Sequence, residues 1–161
     1  MRDDSIPRVS VTPALRYLYT SRIEIKSPVQ MGPSPYGERR IIYITGGSFH
    51  GPRMTGTVLA GGADWQFVRA DQVTELEARY TLKTDDGGFI SVVNWGLRHG
   101  PKEVMDRILA GDKVDPSEYY FRTSPRFETG AKKYLWLNGT VAVAAGERRA
   151  NEVIITVYEV T

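Results

Sequence analysis

The stretch Thr74-Glu75-Leu76-Glu77-Ala78-Arg79-Tyr80-Thr81-Leu82-Lys83-Thr84, followed by Asp85-Asp86-Gly87-Gly88 and then Phe89-Ile90-Ser91-Val92-Val93-Asn94-Trp95-Gly96-Leu97, reads as two strands joined by a tight turn. Apolar and polar residues alternate along both arms, the period-two pattern of a half-buried strand. Asp-Gly is a strong hairpin signal because the turn needs positive φ. With Asp86-Gly87 as the two loop residues, Leu82 faces Ser91, Tyr80 faces Val93, Ala78 faces Trp95 and Leu76 faces Leu97. On the other face Thr81 meets Val92, Arg79 meets Asn94 and Glu77 meets Gly96. One face is then apolar and the other carries charge in mid-strand. A slip of one residue would scramble both sets.

Strand signals extend in both directions. Upstream, alternation from Leu15 to Ile25 predicts a strand, and Arg40 to Thr45 a second. Between them, residues 27–38 hold Pro28, Gly32, Pro33, Pro35 and Gly37 and read as a loop. Gly46-Gly47 and Gly61-Gly62 interrupt strand-like segments and suit tight bends at a barrel corner. Met54 to Ala60 and Trp65 to Ala70 read as short strands. Downstream, Pro101 to Ala110 is a helix, with Pro101 in its first turn, Val104 and Ile108 on one stripe and Gly111 at its C-terminal cap. Tyr119 to Thr123 is a strand that Pro125 bends or ends. Tyr134 to Ala145 and Glu152 to Val160 form a last hairpin. Nine or ten strands and one short helix predict an all-β fold, a single closed antiparallel β-barrel over residues 1–161 with residues 1–13 as an N-terminal arm.

Composition narrows the function classes. The 21 basic and 19 acidic residues leave a formal charge of +2, with the basic residues scattered, which argues against a nucleic-acid partner. With no cysteine, thiolate catalysis, disulfides and cysteine-based zinc sites are excluded. Two separated histidines, His50 and His99, give no metal-ligand spacing, so no metal and no cofactor is expected. No apolar run is long enough to cross a membrane, and residues 1–20 lack a signal-peptide core. A cytoplasmic protein without a membrane partner is expected. Gly46-Gly47-Ser48-Phe49-His50 is a near miss to a nucleophile elbow, with His50 at the fifth position and strand instead of helix following.

The remaining signal is polar residues within strong strands: Asp64 before Trp65, Glu77, Arg79 and Asn94 on the hairpin, Arg122 among aromatics, Glu128 after Phe127, and Asn138 after Trp136-Leu137. Each alone is best explained as a solvent-facing residue. If the charged face points inward, the barrel encloses a polar cluster suited to a small molecule. Asp64 or Glu128 then acts as general acid or base. Arg79 and Arg122 hold an anionic or enolate oxygen. Glu77 shares their face, Asn94 and Asn138 orient the ligand, and Trp65 and Trp136 stack on it.

The motifs Gly46-Gly47-Ser48-Phe49-His50-Gly51, Gly61-Gly62-Ala63-Asp64-Trp65, Glu77-Ala78-Arg79-Tyr80, Tyr120-Phe121-Arg122-Thr123 and Tyr134-Leu135-Trp136-Leu137-Asn138 together resemble a family of small proteins in bacteria and fungi. That family is catalogued as a domain of unknown function, DUF3237. The resemblance spans roughly residues 13–160. It implies a compact β-barrel that often self-associates, hence a homo-oligomer, and it brings no agreed activity or catalytic residue. The family pattern favours Pro where Ala60 stands, a departure that touches only the local bend. The functional expectation is a small-molecule-binding barrel, with cofactor-independent isomerase, cyclase or lyase chemistry on an oxygenated organic metabolite. The alternative is a non-catalytic ligand-binding or structural oligomeric module.

Overall fold

The computed structural model describes residues 6–161. Residues 1–5 of the expected arm lie outside the described residues, and residues 6–13 are exposed and form no strand. Ten strands follow: β1 (Leu15–Ile25), β2 (Val29–Ser34), β3 (Gly37–His50), β4 (Thr55–Val58), β5 (Ala63–Val68), β6 (Thr74–Thr84), β7 (Phe89–His99), β8 (Tyr120–Glu128), β9 (Ala142–Arg148) and β10 (Glu152–Val160). All pairings are antiparallel. The order runs β1-β10-β9-β8-β7-β6, then through β4 and β5 to β3, and β3 pairs back onto β1 to close an eight-strand barrel. Helix α1 (Lys102–Leu109) and two 3-10 segments, Pro116–Glu118 and Lys132–Gly139, complete the chain.

Closure depends on two glycines. Gly46 and Gly47 have φ of +152° and +141°, and the pairing of β1 with β3 shifts register just there, between Glu24 and Ile25. A Cβ on Gly47 would lie 2.1 Å from the Arg22 carbonyl oxygen. The two backbones can approach this closely only without a side chain.

The central hairpin is present, but one residue out of the expected register. Thr84 N–H donates to the Gly88 carbonyl and Gly87 N–H to the Thr84 carbonyl, at 2.8 and 2.9 Å, and Gly87 sits at φ +89°. The loop is therefore three residues, Asp85-Asp86-Gly87, a turn closed by a left-handed glycine. Leu82 consequently pairs with Ile90, Tyr80 with Val92 and Ala78 with Asn94, while Glu77 pairs with Trp95 and Arg79 with Val93. One extra loop residue moves Asn94 onto the buried face with Tyr80 and Leu82, and leaves Glu77 and Arg79 outside.

Other differences have local causes. Within residues 27–38 the chain forms β2, which pairs only with β3; an edge strand tolerates Pro33 because no partner needs its missing N–H. Strand β8 runs through Pro125, since β9 pairs with β8 only at Arg122 and Thr123 and leaves that edge free. The segment around Tyr134 is a 3-10 helix, not a strand. Tyr134 and Leu137 are buried three residues apart, the 3-10 spacing. The Tyr134 hydroxyl donates to Asp86 at 2.9 Å, and Asn138 accepts from Thr129 N–H and donates to the Thr129 carbonyl, each at 2.9 Å. Lys133, Thr84 and Tyr134 hold the Asp86 carboxyl well below the usual carboxylate range.

The barrel has two unlike ends. Near the Asp85–Gly88 turn the interior is apolar, with Tyr19 edge-on to Phe49 and Phe127 and with Leu82, Ile90 and Leu137 fully buried. Toward the opposite end the strands carry Arg40, Arg98 and Arg148 inward, all under 9% exposed, and α1 covers them with Val104 and Ile108 buried beneath it.

Replacing Gly47 with Ala is expected to cost about 2–4 kcal/mol through the clash with Arg22 and the left-handed backbone. For a chain of this size that lowers Tm by roughly 4–16 °C. Thermal unfolding checks this; an unchanged Tm would refute the account of closure.

Candidate functional site

The observed register decides which polar side chains meet. Asp64 and Gln66 of β5, Tyr80 of β6, Asn94 and Arg98 of β7 and Thr123 of β8 line one interior cavity of about 50 Å³. Ile23, Ile25, Ile42, Ile44 and Ile155 supply most of the remaining wall. Ile42, Gln66 and Arg98 also line a second cavity of about 140 Å³ with Arg40 and Arg148. Arg40, Arg98, Ile108 and Leu109 in turn border a crevice of about 490 Å³ along α1. The three spaces are neighbours with walls in common, and Arg98 borders all of them.

Among the described residues, seven buried side-chain atoms have no hydrogen-bond partner: Tyr19 Oη, Arg40 Nε, Gln66 Oε1, Tyr80 Oη, Asn94 Oδ1, Arg98 Nε and Thr123 Oγ1. Five of these residues line the central cavity, and Tyr19 and Arg40 flank it. The Tyr19 hydroxyl and the Asn94 amide lie close enough to the Tyr80 hydroxyl to influence its ionisation, although no pair among the three meets strict hydrogen-bond geometry. Native interiors rarely leave such groups unpaired, because each costs about 1–3 kcal/mol. Five of the seven belong to residues around one cavity.

Asp64 is the carboxylate of this interior. Its Oδ2 accepts from Gln66 Nε2 at 2.8 Å and its Oδ1 from Glu77 N–H at 3.1 Å. Asp64 as a residue retains some exposed surface, but desolvation is the largest influence on its carboxyl, so the acid group itself is what the interior encloses. Burial raises its pKa above 3.8, against the opposing pull of Gln66, Arg98 and Arg148. Burial likewise lowers Arg98 to about 10, and it lowers Arg40 and Arg148. Tyr80 is raised by burial and by the Asp64 charge and remains a neutral donor. Together these groups can accept a proton, return it, and hold an oxygen that gains charge.

The residues expected from the sequence divide sharply. Asp64 and Asn94 face the cavity. Glu77 and Arg79 lie on the outer face of β6, opposite buried Leu76, Tyr80 and Leu82, and pair with each other at 2.9 Å. Trp65 is 47% exposed, and Arg122 and Glu128 alternate outward along β8. Trp136 packs under the Arg53 guanidinium, 3.8 Å from its ring centre, and Asn138 secures the 3-10 segment. The expected inward cluster of Arg79, Arg122 and Glu128 is therefore corrected: the interior arginines are Arg40, Arg98 and Arg148. Arg98 and Arg40 were legible in principle. Arg98 shares its face with Asn94 and Gly96, and Arg40 with Ile42 and Ile44.

The architecture is that of a closed, all-antiparallel β-barrel with a partly polar interior cavity. The chain belongs to the family described as "Protein of unknown function (DUF3237)", which it matches over residues 13–160. It is 42% identical over 152 residues to a UPF0311 protein of Rhodopseudomonas palustris, covering 93% of this chain and 99% of that one. The crystal structure of that protein superposes with a TM-score of 0.91 over 94% of this chain and 100% of its own. A β-barrel-like protein of Acinetobacter baumannii matches at 38% identity and a TM-score of 0.83, covering 96% of this chain and all of the other. A structure described as an enzyme from Penicillium herquei matches at 20% identity and a TM-score of 0.72, covering 97% and 100%, which shows a shared fold alone.

Folding favours the protonated form of Asp64, so its contribution to stability is full below pH 3.8 and is lost as pH rises through its higher folded pKa. Asp64→Asn mimics the protonated form. The variant is expected to be more stable than the parent at pH 7 and to converge with it as pH falls below 3.8. Chemical denaturation across pH reads this; a variant less stable at pH 7 would make Asp64 a structural counter-ion.

Proposed function

We propose that the protein binds an oxygenated organic molecule inside the barrel and catalyses a cofactor-independent proton transfer on it, of isomerase, cyclase or lyase type. The observation that carries this reading is that five residues with unpartnered buried polar atoms, Gln66, Tyr80, Asn94, Arg98 and Thr123, line one cavity. Asp64 takes a proton from one position of the ligand and returns it at another, so the step balances without oxidant or reductant. Tyr80 and Asn94 hold the ligand oxygen on which charge develops. The isoleucine walls exclude water and keep these interactions strong. The shared fold with a fungal protein described as an enzyme is compatible with chemistry on this scaffold.

A second reading draws on the outer wall. Leu15, Trp95 and Tyr120, at 60%, 50% and 45% exposure, border one groove with Leu97 and Tyr158. Such a surface suits self-association of a non-catalytic module. Sedimentation of Trp95→Glu tests it: an oligomeric parent and a monomeric variant would support it, and a monomeric parent would refute it.

For the leading reading, Asn94→Leu and Tyr80→Phe each remove an unpartnered polar atom. Both variants are expected to be as stable as the parent or more so, by up to about 2 kcal/mol. Both should lose the hits that ligand-observed NMR finds for the parent in a library of small oxygenated organic compounds. Destabilised variants, or hits that bind them unchanged, would overturn the assignment.

A further inference from the structure

The three interior arginines carry more positive charge than the interior answers. Arg40, Arg98 and Arg148 are 6%, 3% and 8% exposed, and none forms a salt bridge among the described residues. Arg148 Nη1 donates only to the carbonyls of Arg149 and Ala150. Arg98 stacks its guanidinium over Phe121 at 5.4 Å, and the Nε groups of Arg40 and Arg98 have no partner. Two carboxylates act electrostatically on this cluster: Asp64 on all three arginines and Glu38 on Arg40. Three guanidiniums against two carboxylates leave a surplus of one charge, and the arginines also disfavour one another.

An enclosed surplus charge is costly unless something answers it. A guanidinium presents a planar fork of donors that matches a carboxylate in two-point contact. Arg40 and Arg98 both line the second cavity and the outer crevice, and Arg98 lines the central cavity as well. Beyond them the walls are isoleucine with isolated polar atoms, which suits an organic body rather than an inorganic oxyanion. Asn94 and Arg98 stand four residues apart on β7, about 13 Å of strand, so an extended molecule can touch both levels.

We propose that Arg40, Arg98 and Arg148 form a carboxylate-binding subsite, and that the protein takes oxygenated organic acids. The carboxylate is held among these arginines beneath α1, while the rest of the molecule reaches Asp64, Tyr80 and Asn94. This rests on the interior-ligand reading and specifies its substrate class. The arginines anchor and orient; Asp64 moves the proton.

The test compares 4-hydroxybenzoate with its neutral isostere 4-hydroxybenzamide and with inorganic phosphate, by calorimetry and amide NMR on the full chain. The parent is expected to bind the carboxylate at least tenfold more tightly than the amide, with shifts at residues 80, 94 and 98. Arg98→Met and Arg40→Met should each lose roughly tenfold or more for the carboxylate and leave amide affinity unchanged. Arg98→Lys, which keeps the charge and loses the fork, should recover only part of it. Without ligand, Arg98→Met should melt at or above the parent temperature, because it removes unanswered charge; an arginine serving only as a structural partner of Asp64 would give a large fall. Equal binding of acid and amide inside the barrel would overturn the carboxylate subsite and leave the interior-ligand reading standing. Phosphate binding alone would overturn the assignment to organic acids. No binding of any probe would overturn the subsite as well.

Discussion

The close crossing of β1 and β3 at Gly46-Gly47 is the constraint on which this structure depends. A sheet of this many strands has a free edge at each side unless it closes. Closure requires one strand to bend sharply against another, and the 2.1 Å between a notional Gly47 Cβ and the Arg22 carbonyl shows how little room the seam leaves. Once closed, the sheet has an inside that water does not freely enter. Every polar residue on an inward position then becomes an energetic question, which it would not be on an open sheet.

That question is answered differently at the two ends. The end near the central turn is filled by interlocked aromatic and aliphatic side chains and sealed by the 3-10 segment, which Tyr134 and Asn138 anchor to Asp86 and Thr129. The other end is left incompletely filled and incompletely neutralised. Neighbouring cavities lie between the crevice beside α1 and the centre, and several of their lining residues carry buried polar atoms without a partner among the described residues. Burial weakens both charged partners in this region: it raises Asp64 and lowers Arg98. A protein built only for stability would have packed this end like the other. Retained polar groups at a stability cost are what binding sites commonly show.

Much of the fold was legible because strand periodicity is local. The alternation in Thr74–Thr84 and Glu152–Val160 places both strands at their observed bounds, and Pro101, Val104, Ile108 and Gly111 mark α1. The failures are cases where distant contacts overrule a local signal. Tyr134 to Leu137 carries strand-like residues, yet Asp86 and Thr129 hold it as a 3-10 helix. Pro33 and Pro125 read as breakers, but each falls where no neighbouring strand needs its N–H. Among site residues, Asp64 and Asn94 stood out as polar groups in apolar strands, whereas Arg40, Arg98 and Arg148 looked like ordinary charges near strand ends.

The sequence by itself determined that this chain is an all-β barrel of about ten strands with one short helix, because period-two patterning, turn glycines and helix caps are properties of neighbouring residues. Only the tertiary structure decided which polar residues face inward. In a strand the two faces differ by a single step, so one additional residue in the Asp85-Asp86-Gly87 loop exchanged the whole set. Local pattern can say that one face is buried; only barrel closure and the actual turn geometry settle that it is the face bearing Asn94 and Arg98.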